Sequence, residues 1–314
     1  MNKILALAAA IALVQAPAFA QGAFGPLIAP ADLAAQADAL LILDIRPAST
    51  EDGKKPYAEG HIPGAVAAPY GLFRGPAENP GAVPAIDKLT EVLRSLGVTP
   101  GRPTVIVHQG SDETDFGAAA RVYWTLKSSG VSQLAILNGG FDAWTGAGLP
   151  VSTEAVAPVV SDITVTFADT WLATTDDVLA VVEGKAVGDL IDARPESFWA
   201  GEQAHASAAR PGTLPQSKYF THSRWFTSGP SLIDGAAVQS LAAANGFQQG
   251  DQLVSFCNTG HWAATNWFAL SELAGIEGVR LYPESMVGWS QAGLPMDNTP
   301  GPIRNLWNQI KSVF

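Results

Sequence analysis

The chain has 314 residues, 47% of them hydrophobic and only 15% charged. That balance excludes an intrinsically disordered chain, and at roughly 100–200 residues per domain the length predicts two domains. Acidic residues outnumber basic ones by 29 to 18, a formal charge of −11. Such an excess argues against nucleic acid or an anionic membrane as the main partner, while a small anion needs only a local positive field. A single cysteine, Cys257, rules out an intramolecular disulfide and any cysteine-rich zinc or iron–sulfur site.

Lys3, the apolar run over 4–14 and the small-residue ending Ala16-Pro17-Ala18-Phe19-Ala20 follow the grammar of an export signal, too short for a membrane span. Cleavage after Ala20 would remove Lys3, move the formal charge from −11 to −12, and leave a periplasmic protein free of the membrane. A lone thiol in an oxidising compartment invites pairing or oxidation, which makes Cys257 a suspect before any motif is considered.

In the first half, 39–43 and 104–107 are short, apolar and rich in Leu, Ile or Val, as buried parallel strands are. Stretches 86–96 and 116–127 carry apolar residues at helical spacing. A linker falls over 151–160, where Pro150, Pro158 and small residues gather. It divides a first domain over 21–150 from a second over 161–314. The second half predicts strands over 186–191 and 252–256, a helix over 236–244 stopped by Gly246, and another over 263–274 stopped by Gly275. Strand–helix alternation implies an α/β fold, two domains each with a mostly parallel sheet flanked by helices.

The halves are copies. Leu43-Asp44-Ile45-Arg46-Pro47 returns as Ile191-Asp192-Ala193-Arg194-Pro195, and Val105 to Gln109 aligns at the same offset with Leu253 to Cys257. Trp144 has its counterpart in Trp289. This alignment sets Gln109, an amide without useful nucleophilicity, opposite Cys257, so the first copy is expected to be inactive.

Cys257 ends a predicted strand, where ligands of such sheets bind. The segment Cys257-Asn258-Thr259-Gly260-His261-Trp262 is a tight loop entering a helix. Backbone N–H groups there favour an anion, and hence a thiolate nucleophile over a buried, inert thiol. A protonated His261 would add positive charge and give the cysteine's reactivity a bell-shaped pH dependence; alternatively it faces solvent and Trp262 alone shapes the pocket. Asp44/Arg46 and Asp192/Arg194 recur in both copies and are expected to be structural. His61 reads as a turn residue and His108 as a strand-end or interface residue. Arg210, Lys218 and Arg224 follow the second Asp-x-Arg and are candidates to meet a small anion. Cys257 and His261 lack a third ligand, so neither a metal nor another cofactor is expected.

Asp44-Ile45-Arg46, Gly60-His61-Ile62-Pro63-Gly64-Ala65 and Leu137-Asn138-Gly139-Gly140-Phe141-Asp142-Ala143-Trp144 closely match landmarks of the rhodanese family. The chain resembles its two-domain sulfurtransferases over essentially the whole mature length. The resemblance implies that Cys257 takes a sulfane sulfur from a small anionic donor. It would hold this sulfur as a persulfide and pass it to a thiophilic acceptor such as cyanide, a thiol or a protein. Residues Asn258 to Trp262 would line the site. Asn258 stands where thiosulfate-using relatives often carry Arg, and His261-Trp262 departs from mercaptopyruvate-using ones, so the loop indicates neither donor. Thr213, in Gly212-Thr213-Leu214-Pro215, replaces the motif's histidine in the second copy. Related phosphatases need Arg six residues after the cysteine, where Ala263 stands. A persulfide carrier fed by a partner protein and a non-catalytic interaction module are the other readings.

Overall fold

The computed structural model describes residues 24–227 and 229–301; the expected export signal lies outside them. The first half runs β1 (Leu27–Ile28), α1 (Pro30–Ala34), β2 (Leu41–Asp44), α2 (Pro56–Glu59), β3 (Val66–Ala67), α3 (Ile86–Ser95), β4 (Thr104–Val107), α4 (Glu113–Ser128), β5 (Leu134–Leu137) and α5 (Gly140–Gly146). The second runs α6 (Thr175–Val182), β6 (Asp189–Asp192), α7 (Glu196–Trp199), β7 (Lys218–Tyr219), α8 (Gly235–Ala244), β8 (Leu253–Phe256), α9 (Trp262–Phe268), β9 (Arg280–Leu281) and α10 (Ser285–Gln291). The sheets are parallel, ordered β1-β5-β4-β2-β3 and β7-β6-β8-β9. A parallel bridge of Leu172 to Leu281 takes the place in the second sheet that β1 occupies in the first.

The apolar runs predicted as strands are the central ones. β4 and β8 are buried throughout, because helices cover both faces of a parallel sheet. α4 starts earlier than its apolar pattern because the Asp112 carboxylate accepts the Asp115 N–H at 2.8 Å and caps it. α9 continues as a π-helical turn over Ala269–Leu273, with the Ala274 N–H donating to the Ala269 carbonyl at 2.8 Å, before Gly275 ends it. Short edge strands such as β3 and β7 carry too few residues to show a period.

Pairing registers correct the alignment of the two copies by one residue. Asp44 pairs with Val107, and its repeat Asp192 pairs with Phe256. His108, not Gln109, therefore occupies the first copy's counterpart of Cys257. The sequence lacks a residue between the two landmarks in the first copy, and apolar strands that slide by one still look alike.

The expected linker is tied to the first domain. Ser152 bridges to His61, the Glu154 carbonyl meets His61 Nε2 at 3.0 Å, and the Val156 N–H donates to Tyr57 Oη at 3.3 Å. His61, expected as a turn residue, is thus a fully buried clasp, stacked on Tyr57 with ring centres 3.9 Å apart. α4 packs on α9, and Phe116 and Tyr123 meet Phe268 edge-on at 5.7 and 5.0 Å, so one apolar core spans both domains. No helix among the described residues is long and apolar enough to cross a membrane.

Candidate active site at the domain interface

Cys257 follows β8 at its carboxyl end and is 1% exposed. The loop after it is held from below by one hydroxyl. Ser285 Oγ accepts the N–H groups of Cys257 at 3.0 Å and Gly260 at 3.2 Å, and donates to the Tyr282 carbonyl at 2.7 Å. Ser285 adopts φ 51°, and its counterpart Gly140 adopts 63°. This left-handed geometry suits glycine, so the serine is kept there at a conformational cost. Gly260, at φ 66°, must be glycine: a Cβ would lie 2.5 Å from Arg121 Nη1 and 2.6 Å from the Pro283 carbonyl. The amides of Asn258, Thr259, His261 and Trp262 have no acceptor among the described residues. They remain available to an anion, as the loop pattern predicts.

The Asp-x-Arg pairs are buried ion pairs in both copies. Arg194 grips Asp192 through Nε and Nη2, at 2.9 and 2.6 Å, and reaches the Gly212 carbonyl and Asn258 Oδ1 at 2.9 and 3.3 Å. Arg46 repeats this with Asp44, the Gly60 carbonyl and Gln109. Asn258 is thereby turned to Arg194, and Thr213 Oγ1 completes the cluster by donating to Asp192 at 2.7 Å.

The first copy's loop is filled from within. Asp115 Oδ2 accepts the N–H groups of Gly110 and Ser111 at 2.5 and 3.3 Å and meets His108 Nδ1 at 2.9 Å. Burial opposes ionisation of Asp115, but the His108 and amide bonds outweigh it and hold the carboxyl below its usual range. The position equivalent to Asp115 in the second copy is Ala264, whose methyl leaves the loop amides untouched.

His261 does not supply the expected charge. Its Nε2–H donates to the Thr114 carbonyl at 2.6 Å, and its Nδ1 accepts from Tyr70 Oη at 3.0 Å. Tyr70 Oη in turn accepts from Arg74 Nη1 at 2.9 Å. Desolvation first, and the Arg74 charge second, push the imidazole down to about 4. It is a neutral bridge between domains, and Gly117 makes room for it: a Cβ there would lie 2.9 Å from the ring. Trp262 walls the site, stacked on His222 with ring centres 5.1 Å apart and edge-on to Phe198 at 5.8 Å.

The three cations suggested by the sequence are engaged elsewhere. Arg210 donates to the Leu294 carbonyl at 2.5 Å, Lys218 pairs with Asp189 at 3.0 Å in solvent, and Arg224 donates to Asn245 at 2.8 Å. Besides Arg194, which is paired with Asp192, the cations beside the loop are Arg121, whose Nη1 lies 3.5 Å from the Gly260 carbonyl, and Arg74, joined to His261 through Tyr70. Both come from the first domain. Arg121 had a visible signal, a lone charge amid Ala, Val, Tyr and Trp in α4; Arg74 lies in a Pro- and Gly-rich loop with none.

Fold and site define a two-domain α/β transferase built around one cysteine. The chain belongs to the rhodanese-like family, whose domain matches residues 29–147 and again 174–292. It is 28% identical over 266 residues to the thiosulfate sulfurtransferase of Azotobacter vinelandii, covering 84% of this chain and 93% of that protein. It is 27% identical over 274 residues to SseB of Mycobacterium tuberculosis, named as a thiosulfate sulfurtransferase, with the same two coverages. Its enzyme class is that of the sulfurtransferases. Among solved structures, the 3-mercaptopyruvate-type enzyme SseA of Escherichia coli shares the fold at TM-score 0.72 and 23% identity, covering 83% of this chain and 98% of that one. An anaerobic ergothioneine biosynthesis enzyme from Chlorobium limicola does so at 0.75 and 18%, covering 89% and 72%.

Proposed function

We propose that the protein is an exported sulfurtransferase in which Cys257 carries a sulfane sulfur as a persulfide. The thiolate attacks the outer sulfur of a donor such as thiosulfate. A new S–S bond forms to Cys257, the donor's S–S bond breaks, and sulfite leaves with the bonding pair. A thiophilic acceptor, cyanide or a thiol, then attacks the outer sulfur and returns the thiolate. The loop amides of Asn258, Thr259, His261 and Trp262 are free to receive the persulfide's negative charge.

The observation that carries this reading is a lone cysteine at a strand's carboxyl end, in a loop whose counterpart in the first copy is sealed by a carboxylate. Its near-complete burial favours a small donor over a partner protein's bulky persulfide. Intact mass is the test. Incubation with thiosulfate or 3-mercaptopyruvate should add the mass of one sulfur, and cyanide should remove it. Equal gain by Cys257→Ala would sink the assignment. Export rests on the leader over 1–20, and N-terminal sequencing of the secreted product checks it.

A further inference from the structure

We propose that the first domain holds a ligand site of its own, a cavity beside its closed loop that takes a small organic ammonium ion with an apolar body. The site does not depend on the sulfur chemistry of Cys257.

The cavity has a volume of about 550 Å³. It lies at the carboxyl ends of β2 and β4, where Ile45, Arg46 and His108 line it. Ligands of parallel sheets bind at such ends, and Cys257 holds the same place after β8 in the second copy. Ile45, Pro69, Ala118 and the Tyr70 ring give it apolar walls, with a few polar groups among them. That is the make-up of a pocket for a small organic molecule.

Its polar groups have the opposite sign to those around Cys257. Asp115 takes the N–H groups of Gly110 and Ser111, which closes those donors to an anion and leaves a carboxylate charge in their place. Asp112, exposed, adds a second carboxylate, of which Oδ1 caps α4. Arg46 also lines the cavity, but its guanidinium is engaged by Asp44, the Gly60 carbonyl and Gln109. His261, on the side of the second domain, is neutral. The deepest polar atom is His108 Nε2. His108 is 1% exposed, and its Nε2 is buried without a partner. Nδ1 faces the Asp115 carboxylate at 2.9 Å and keeps the ring proton there, so Nε2 presents a lone pair. A buried acceptor without a donor is costly, and an N–H from a ligand offsets that cost. An alkylammonium supplies N–H donors, a positive charge for two carboxylates and an apolar body for the walls.

Calorimetric titration of the full chain with benzylammonium tests this, with benzyl alcohol as the uncharged isostere. Benzylammonium should bind at one site per chain, about tenfold tighter than the alcohol. Asp112→Asn still caps α4, since asparagine serves there as well as aspartate. It should weaken benzylammonium about tenfold and leave benzyl alcohol unchanged. His108→Phe keeps the ring's volume and removes the acceptor, and should weaken benzylammonium by a similar factor. Circular dichroism checks that this variant folds; if it does not, Asp112→Asn decides alone. The proposal is overturned if benzylammonium does not bind or binds no tighter than the alcohol. It is equally overturned if Asp112→Asn, or a folded His108→Phe, binds benzylammonium as the unaltered chain does.

Discussion

His261 lies among three groups that settle its protonation. Arg74 donates to Tyr70, Tyr70 donates its O–H to Nδ1, and Nε2–H is spent on the Thr114 carbonyl, so a second ring proton has no acceptor. Charging the ring would also oppose Arg74. With the folded value at about 4 against an ordinary value near 6.5, the unfolded chain binds more protons between those limits. Stability from this bridge is therefore complete above pH 6.5 and is lost as pH falls toward 4. Allowing for the ring's partial exposure, the loss should be on the order of 2 kcal/mol. Urea unfolding across that window should show a slope that His261→Gln flattens. The bell-shaped loading profile expected of an imidazolium has no basis in this geometry. His261→Ala should leave the alkaline side of the sulfur-loading profile unchanged.

At the scale of elements, the working unit is β8, its loop, α9 and the turn that opens α10. Ser285 reaches from that turn to hold two loop amides, while Met286 and Val287 donate their N–H groups to the carbonyls of Cys257 and Asn258 at 3.1 and 3.0 Å. The first copy keeps the last two bonds, from Phe141 to His108 and from Asp142 to Gln109, but has Gly140 where the serine stands. Ser285→Ala should leave the Cys257 and Gly260 amides buried without an acceptor, costing about 1–3 kcal/mol for each one water cannot reach. Chemical denaturation measures that cost, and slower sulfur loading should accompany it because the loop loses its floor. Unchanged stability and loading would mean that the hydroxyl is incidental.

For the molecule as a whole, the interface is both core and active-site wall. Phe116 and Tyr123 on α4 lie buried against Phe268 of α9, and Lys127 crosses to Glu272 at 2.8 Å beside the Tyr123 hydroxyl. Separating residues 160–314 would expose the apolar face of α9 and remove Arg74, Arg121 and the partners of His261. The isolated half should aggregate or load sulfur poorly, as light scattering and intact mass would show. A soluble half that loads sulfur like the full chain would refute the need for the first domain. The two copies differ at this loop: one carries the cysteine, and the other is closed by Asp115.

By itself the sequence determined the duplication, the central strands and most helices, and the placement of Cys257 at a strand end. These follow from periodicity and from residues close in the chain, so a local pattern suffices. The one-residue slip between His108 and Gln109 escaped it, because only hydrogen-bond register distinguishes two neighbouring positions on similar strands. Arg210, Lys218 and Arg224 looked plausible because they are near the second motif in sequence, yet their partners lie on neighbouring loops and strands. Arg74, Arg121 and Ser285 reach the Cys257 loop from distances of 183, 136 and 28 residues along the chain. Only the packing of α4 against α9 and the turn into α10 brings them there. The charge of His261 was also a tertiary decision, since desolvation and the Arg74–Tyr70–His261 relay exist only once the two domains close on each other.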